Sequence, residues 1–168
     1  MIDFSDIDGV IFDLDGTLVE SDLNFHNIRE KLGCPKEVDI LTFVEDIQDD
    51  TQKEAAAAFI VEQELADAHG ARWLTKGKAL VEDSQAQGVP MAIVTRNSRS
   101  ATAIKIETNQ IPITTVITRE DAPAKPDPTA LLKIAANWGL HPSRCLYVGD
   151  FDYDRIAAER AGMQFLLV

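Results

Sequence analysis

Ile11-Phe12-Asp13-Leu14-Asp15-Gly16-Thr17-Leu18 runs from an apolar segment into a glycine turn and sets two carboxylates one residue apart at the junction. If Val10-Ile11-Phe12 is a strand, Asp13 and Asp15 leave its carboxyl end pointing roughly the same way. Acids held at such a place without a use would cost free energy. The carboxyl ends of strands are also where open α/β sheets keep their ligands. The pair therefore directs attention to chemistry rather than to packing.

The rest of the chain bounds that chemistry. Its 168 residues suffice for one sizeable core and a small insertion but not for a second full domain. The formal net charge of -12 argues against a nucleic-acid backbone or an anionic membrane as a partner. It leaves room for a small phosphate ester, because a local metal ion and a lysine override the global field. Cys34 and Cys145 stand in unlike settings, so reduced thiols are expected rather than a disulfide framework. There is no basic stretch followed by a long apolar run and no run of membrane-spanning length, so a cytoplasmic location is the expectation.

Short, mostly continuous apolar runs recur at Val10-Phe12, Met91-Val94, Thr115-Ile117, Leu146-Val148 and Phe165-Leu167. Separated by helical patterns, they predict an α/β fold whose mainly parallel sheet is buried on both faces. Helices are expected over 71–87, closed by Gly88; over 98–109; after Asp127-Pro128, which reads as an N-cap and first-turn pair, up to Gly139; and over 154–161, closed by Gly162. Residues 20–68 break the alternation. They hold no good strand, and helices are expected over 22–32, over 35–47 and after Thr51-Gln52-Lys53-Glu54, which has capping-box spacing. The region reads as a small helical insertion, the alternative being one extended crossover packed on the sheet.

Four pieces fall at predicted strand ends or in loops beside them: Asp13 to Thr17, Thr95-Arg96-Asn97, Lys125-Pro126, and Gly149-Asp150 leading to Asp154. A parallel sheet gathers these on one edge. Together they make an inventory for metal-assisted phosphoryl transfer. Asp13 is suited to attack phosphorus as a carboxylate nucleophile. Asp15 is suited to protonate the leaving oxygen and later to accept a proton from water. Thr95 and Lys125 can donate to phosphoryl oxygens, and Lys125 offsets charge that builds in the transition state. Asp13 and Asp150, with a backbone carbonyl near Asp15, offer hard oxygen ligands for magnesium. Arg96 and Asn97 are further candidates for substrate binding, set against a surface salt bridge for Arg96 and a helix cap for Asn97. His26, His69 and His141 have no metal-ligand spacing.

These four motifs resemble those of the haloacid dehalogenase-like hydrolase superfamily, over nearly the whole span from Val10 to Val168 outside the insertion. The resemblance implies a Rossmann-like three-layer α/β/α core over residues 1–19 and 69–168, with residues 20–68 as a small or truncated helical cap. It implies Asp13 as nucleophile, Asp15 as acid/base, Thr95 and Lys125 as phosphate binders and Asp150 as a metal ligand. Asp154 matches the second acidic position, with orientation of a water or of Lys125 as an alternative to metal binding. The presence of Asp15 favours a phosphatase over a dehalogenase, and Asp15 to Ser21 is most similar to the phosphoglycolate phosphatase and β-phosphoglucomutase branch. The function expected is a magnesium-dependent phosphomonoesterase acting through a phosphoaspartate on a small phosphorylated metabolite, as a monomer or weak homo-oligomer. A phosphomutase and a non-catalytic phospho-ligand-binding or scaffold protein are the alternatives. So short a cap is expected to cover the site incompletely.

Overall fold

The computed structural model describes residues 1–168. Each predicted apolar run is a strand: β1 (Gly9–Phe12), β2 (Met91–Val94), β3 (Thr115–Ile117), β4 (Cys145–Gly149) and β5 (Gln164–Leu167). All pair in parallel, in the order β3-β2-β1-β4-β5. β1 is central, with Phe12 level with Ile93 on one side and Val148 on the other. The residues that follow these three strands therefore emerge side by side.

Alternation along the central strands builds two cores. Val10 and Phe12 face one way, with Ile93, Leu146 and Val148, against Leu80 and Val81 of α4 (Thr75–Gln87). Ile106 of α5 (Arg99–Asn109) packs on that same side. Ile11 faces the other way with Ala92, Val94, Cys145 and Tyr147, against Leu131 and Ile134 of α6 (Thr129–Trp138) and Ala157 and Ala158 of α7 (Asp152–Ala161). A sheet covered by helices on both faces is the three-layer α/β/α arrangement.

Residues 20–68 contain no strand. They form α1 (Phe25–Leu32), α2 (Ile40–Glu45) and α3 (Asp50–Ala68), with an apolar cluster of their own at Ile28, Val44, Ala56 and Ile60. α3 also packs along α5.

Several helix starts differ from the expected ones, each for a local reason. α3 is capped by Asp49, whose carboxylate accepts from Gln52 N–H, and not by Thr51. In the stretch expected as helix from residue 71, Trp73 is instead held by backbone pairing. Trp73 bridges to Val19, Glu20 N–H donates to Arg72 O at 2.9 Å, and Leu74 N–H donates to Leu18 O at 2.7 Å. The helix begins only after this pairing ends. α6 starts one residue late, at Thr129, with Asp127 accepting from Thr129 N–H. α7 starts early, at Asp152, because Asp154 folds back onto the loop before it.

α4 approaches the turn after β1 without an intervening side chain. A Cβ on Gly77 would lie 2.2 Å from Thr17 O and 2.9 Å from Leu18 Cα, both backbone atoms. Gly77→Ala is thus expected to push α4 off the 16–18 turn and to destabilise the fold by about 1–3 kcal/mol. Urea unfolding of the variant against the wild type measures it, and an unchanged midpoint would contradict the close approach.

Candidate active site

β1 ends at Phe12 and releases Asp13 onto the sheet edge, its backbone N–H still donating to Val148 O at 2.8 Å. The chain then turns at Gly16, whose φ of 78° lies in the left-handed region and where a Cβ would meet Asp150 Oδ2 at 2.1 Å. Glycine here lets the first and fourth motifs touch. Thr17 stands between them, its hydroxyl 3.3 Å from Asp13 Oδ2 and 3.4 Å from Asp150 Oδ1.

Lys125 enters from the loop before α6 and is buried. Its three N–H groups are shared among four acceptors within reach: Asp13 Oδ1 at 2.8 Å, Asp154 Oδ1 at 2.7 Å, Val94 O at 3.1 Å and the Tyr147 hydroxyl. Asp154 has no spare acceptor position. Its Oδ1 also accepts from Tyr147 OH at 2.9 Å, and its Oδ2 accepts the N–H groups of Asp150 and Phe151, each at 3.2 Å. Burial alone would discharge Lys125, but the carboxylates of Asp13 and Asp154 outweigh it and hold the ammonium above its ordinary pKa. Burial pushes Asp13 well above the usual carboxylate value, against the pull of Lys125 and with the push of Asp154 and Asp15. Burial likewise pushes Tyr147 up, so its phenol stays neutral and donates.

Asp15 leaves the turn in another direction. One oxygen accepts from Asn97 Nδ2 at 2.9 Å, and the other pairs with the ammonium of Lys105, a residue of α5 with no exposed surface. Its side chain is thus outside the group Asp13, Asp150 and Asp154, whose carboxylate oxygens lie within 4.8 Å of one another. Only the backbone carbonyl expected of Asp15 remains as a metal donor from that residue.

The donor set fits a hard divalent cation. Asp13 and Asp150 present oxygens on either side of Thr17, and Asp150 has no ammonium or guanidinium partner. A cation there would favour the ionised form of Asp13. Asp154, occupied by Lys125, Tyr147 and two backbone N–H groups, serves the alternative role of orienting Lys125.

Thr95 is buried beside Asp13, and its hydroxyl oxygen accepts from Asn97 N–H at 3.0 Å, which leaves the O–H free to donate. Asn97 also lies at the site, but its amide serves Asp15 on one side and Ser98 N–H on the other. Arg96 is likewise engaged. It donates to Lys125 O, pairs with Asp39 at the N-cap of α2, and lies 4.1 Å over the Tyr153 ring. Tyr153 OH donates to the same Asp39 carboxylate at 3.0 Å. Arg119 grips buried Glu64 of α3 with both terminal nitrogens. Between the strand ends and the insertion lies a cavity of about 540 Å³, with Leu23, Ile28, Leu41 and Ile60 on the insertion side.

The sequence reading gave no role to Thr17, although it lies in the first motif, nor to Lys105, Tyr147 and Asp39. Two carried a signal. Tyr147 interrupts a buried apolar strand with a hydroxyl that needs a partner, and Lys105 lies one turn from Ala101 on the buried face of α5.

The model of the haloacid dehalogenase-like hydrolase family matches residues 10–168. The chain belongs to this family. Its relatives include an uncharacterized hydrolase of Saccharomyces cerevisiae, 30% identical over 93% of this chain and 74% of that protein. Another is a phosphoglycolate phosphatase of Shigella dysenteriae, 28% identical over 95% and 80% respectively. A haloacid dehalogenase-like family hydrolase of Streptococcus pneumoniae has the same fold, with a TM-score of 0.71 at 21% identity over 96% of this chain and 84% of that one. No helix here is long and apolar enough to cross a membrane.

The Asp39 contact gives the site a pH-sensitive seam. Burial opposes its charge, but Arg96, Thr42 and Tyr153 outweigh burial and hold its carboxyl below the ordinary value of 3.8. A depressed folded-state pKa contributes stability above the unfolded value, lost as pH falls through the folded one. Asp39→Asn is therefore expected to destabilise the protein at pH 7, with a deficit that shrinks as the pH falls below the ordinary carboxylate value of 3.8, as at pH 3. Urea unfolding at the two pH values checks this; an equal deficit at both would rule out the charge as its source.

Proposed function

We propose that the chain is a magnesium-dependent phosphomonoesterase that passes the phosphoryl group of a small phosphorylated metabolite to Asp13 and then to water. The observation that carries this reading is the buried Lys125 ammonium, held between Asp13 and Asp154 at the floor of a pocket that also takes Thr95 and Asp150. A lysine so placed can turn an N–H from one of these partners toward a transferring phosphoryl group and offset its charge.

In the first half-reaction an Asp13 oxygen attacks phosphorus, the bond to the ester oxygen breaks, and Asp15 delivers its proton to that oxygen. In the second, Asp15 takes a proton from the attacking water, the bond between Asp13 and phosphorus breaks, and inorganic phosphate leaves. Lys125 and the Thr95 hydroxyl bind phosphoryl oxygens in both. Asp13, Asp150 and the Asp15 backbone carbonyl would hold the metal ion, which supplies positive charge opposite the phosphoryl oxygens. Asp154 fixes Lys125. Asn97 acts on the reaction through Asp15 and Arg96 through the pocket wall, rather than by gripping phosphate.

Residues 20–68 serve in this reading as a short cap over a core of residues 1–19 and 69–168. Their separate apolar cluster and the Asp39 contact with Arg96 and Tyr153 support it. The Shigella dysenteriae phosphoglycolate phosphatase, 28% identical, supports a small phosphate ester as substrate.

Turnover of a broad panel of phosphate esters, with and without magnesium, tests the reading. At least one ester should be hydrolysed, the activity should vanish with a chelator, and added magnesium should restore it. Asp13→Asn should lower kcat/KM on the order of 10⁴-fold or more, and acid-quenched wild type should carry a phosphoryl group on Asp13. Equal turnover in D13N would remove Asp13 as nucleophile. No turnover on any ester would remove the phosphatase.

A further inference from the structure

Lys105 is the other buried cation of the site, and the reaction as described makes no use of it. It sits on the inward face of α5 between Ala101 and the helix end, with no exposed surface. An apolar side chain there would pack on the same core without desolvating a charge, and buried ion pairs are poor sources of net stability. Its ammonium is divided between two carboxylates: Asp15 Oδ1 and, at 2.9 Å, Asp67 Oδ2. Burial works against its charge, and the two carboxylates outweigh burial, so it remains an ammonium.

Both partners are tied in further. The second oxygen of Asp15 accepts from Asn97 Nδ2 at 2.9 Å, so Lys105 and Asn97 together fix the plane of that carboxyl group. Asp67, near the end of α3, accepts from Asp22 N–H at 2.7 Å and Ser21 Oγ at 3.3 Å. It thereby joins the segment leading into the insertion to the segment leading out. Asp15 is reached from the insertion through a single buried ammonium.

We propose that Lys105 is a positioning residue that aims the Asp15 carboxyl group at the leaving oxygen. The proposal rests on the acid role given to Asp15 above. It implies that Lys105 matters in proportion to the leaving group's need for a proton. A p-nitrophenolate departs unprotonated, whereas an alkoxide requires the proton. A residue that merely held α5 and α3 together would affect both esters alike.

The experiment compares kcat/KM, which reports phosphoryl transfer to the enzyme, for p-nitrophenyl phosphate and n-propyl phosphate. The proteins are wild type, K105M, K105R, D15N and K105M/D15N, all with magnesium. K105M should lose on the order of 10-fold or more with the alkyl ester and less than about 3-fold with the aryl ester, a part of the 10²–10⁴-fold that acid–base catalysis supplies. K105R should recover part of the alkyl activity. The double variant should match D15N, because aim is worthless once the acid is gone. K105Q keeps a donor toward Asp67 and carries the same expectation, so the proposal stays testable if K105M does not fold. Equal losses on the two esters, or additive losses in the double variant, overturn the role of Lys105 while D15N remains selective. If D15N itself fails to discriminate between the esters, the acid role of Asp15 falls and the proposal falls with it.

Discussion

The Lys125 ammonium lies inside the protein with carboxylates on two sides, and the rest of the site depends on keeping it there. Taking a lysine and two acids out of water costs several kcal/mol per ion, recovered only when every proton and lone pair is matched. The match here draws on Asp13 after β1, the carbonyl of Val94 at the end of β2, Tyr147 from β4 and Asp154 of α7. Three adjacent parallel strands must therefore end at one level for the lysine to be tolerated at all. The register that places Ile93, Phe12 and Val148 side by side meets that condition. The order β3-β2-β1-β4-β5 brings it about with β1 in the middle, so the apolar sheet and the polar site constrain one another.

Lys105 repeats the arrangement a few residues away. Each buried lysine is shared by two carboxylates, Lys125 by Asp13 and Asp154 and Lys105 by Asp15 and Asp67. The turn at Gly16 is what separates Asp13 from Asp15, sending to different ammonium groups two acids that strand alternation would have aligned. Asp150 is left with a hydroxyl and no cation. Carboxylates thus outnumber ammonium groups in the cluster, so the proposed reception of an anion by a chain of net charge -12 depends on a cation at Asp13 and Asp150 as well as on Lys125.

The sheet was legible because its signal is local. Each run of three or four apolar residues is a strand, and alternation along β1 decides which core each side chain enters. The four motifs were legible because a parallel sheet must gather them at one edge. What remained hidden lay in partners rather than periods. Asp39 meets Arg96 across 57 residues, and Lys105 meets Asp15 across 90. Helical spacing shows that Lys105 faces inward but is silent about the carboxylate it meets. Arg96 shows the same limit, since the sequence offers it both a substrate contact and a salt bridge but does not say that its acid is Asp39, 57 residues away. The cap of α3 was missed for a smaller reason of the same kind: Asp49 reaches the helix start ahead of Thr51, whose spacing suggested the cap.

The short insertion meets the core by charge more than by area. Nineteen residues of α3, with α1 and α2 beside it, are too few for a large roof. Three ion pairs tie the insertion to the core, one of them between Asp67 and Lys105. Asp39 reaches Arg96 and Tyr153 on the core, and buried Glu64 takes both terminal nitrogens of Arg119, which in turn donates to Arg96 O at 3.0 Å. A small cap has little apolar surface with which to dock, so directional contacts to residues just beyond the strand ends substitute for area. Those contacts also neutralise two arginines that would otherwise face the pocket. Of the cations close to Asp13, that leaves Lys125 for the proposed phosphoryl group, while Leu23, Ile28, Leu41 and Ile60 line the insertion side of the cavity. In the proposed reaction, selection among esters would fall to apolar shape on that side, and phosphate recognition to the sheet edge.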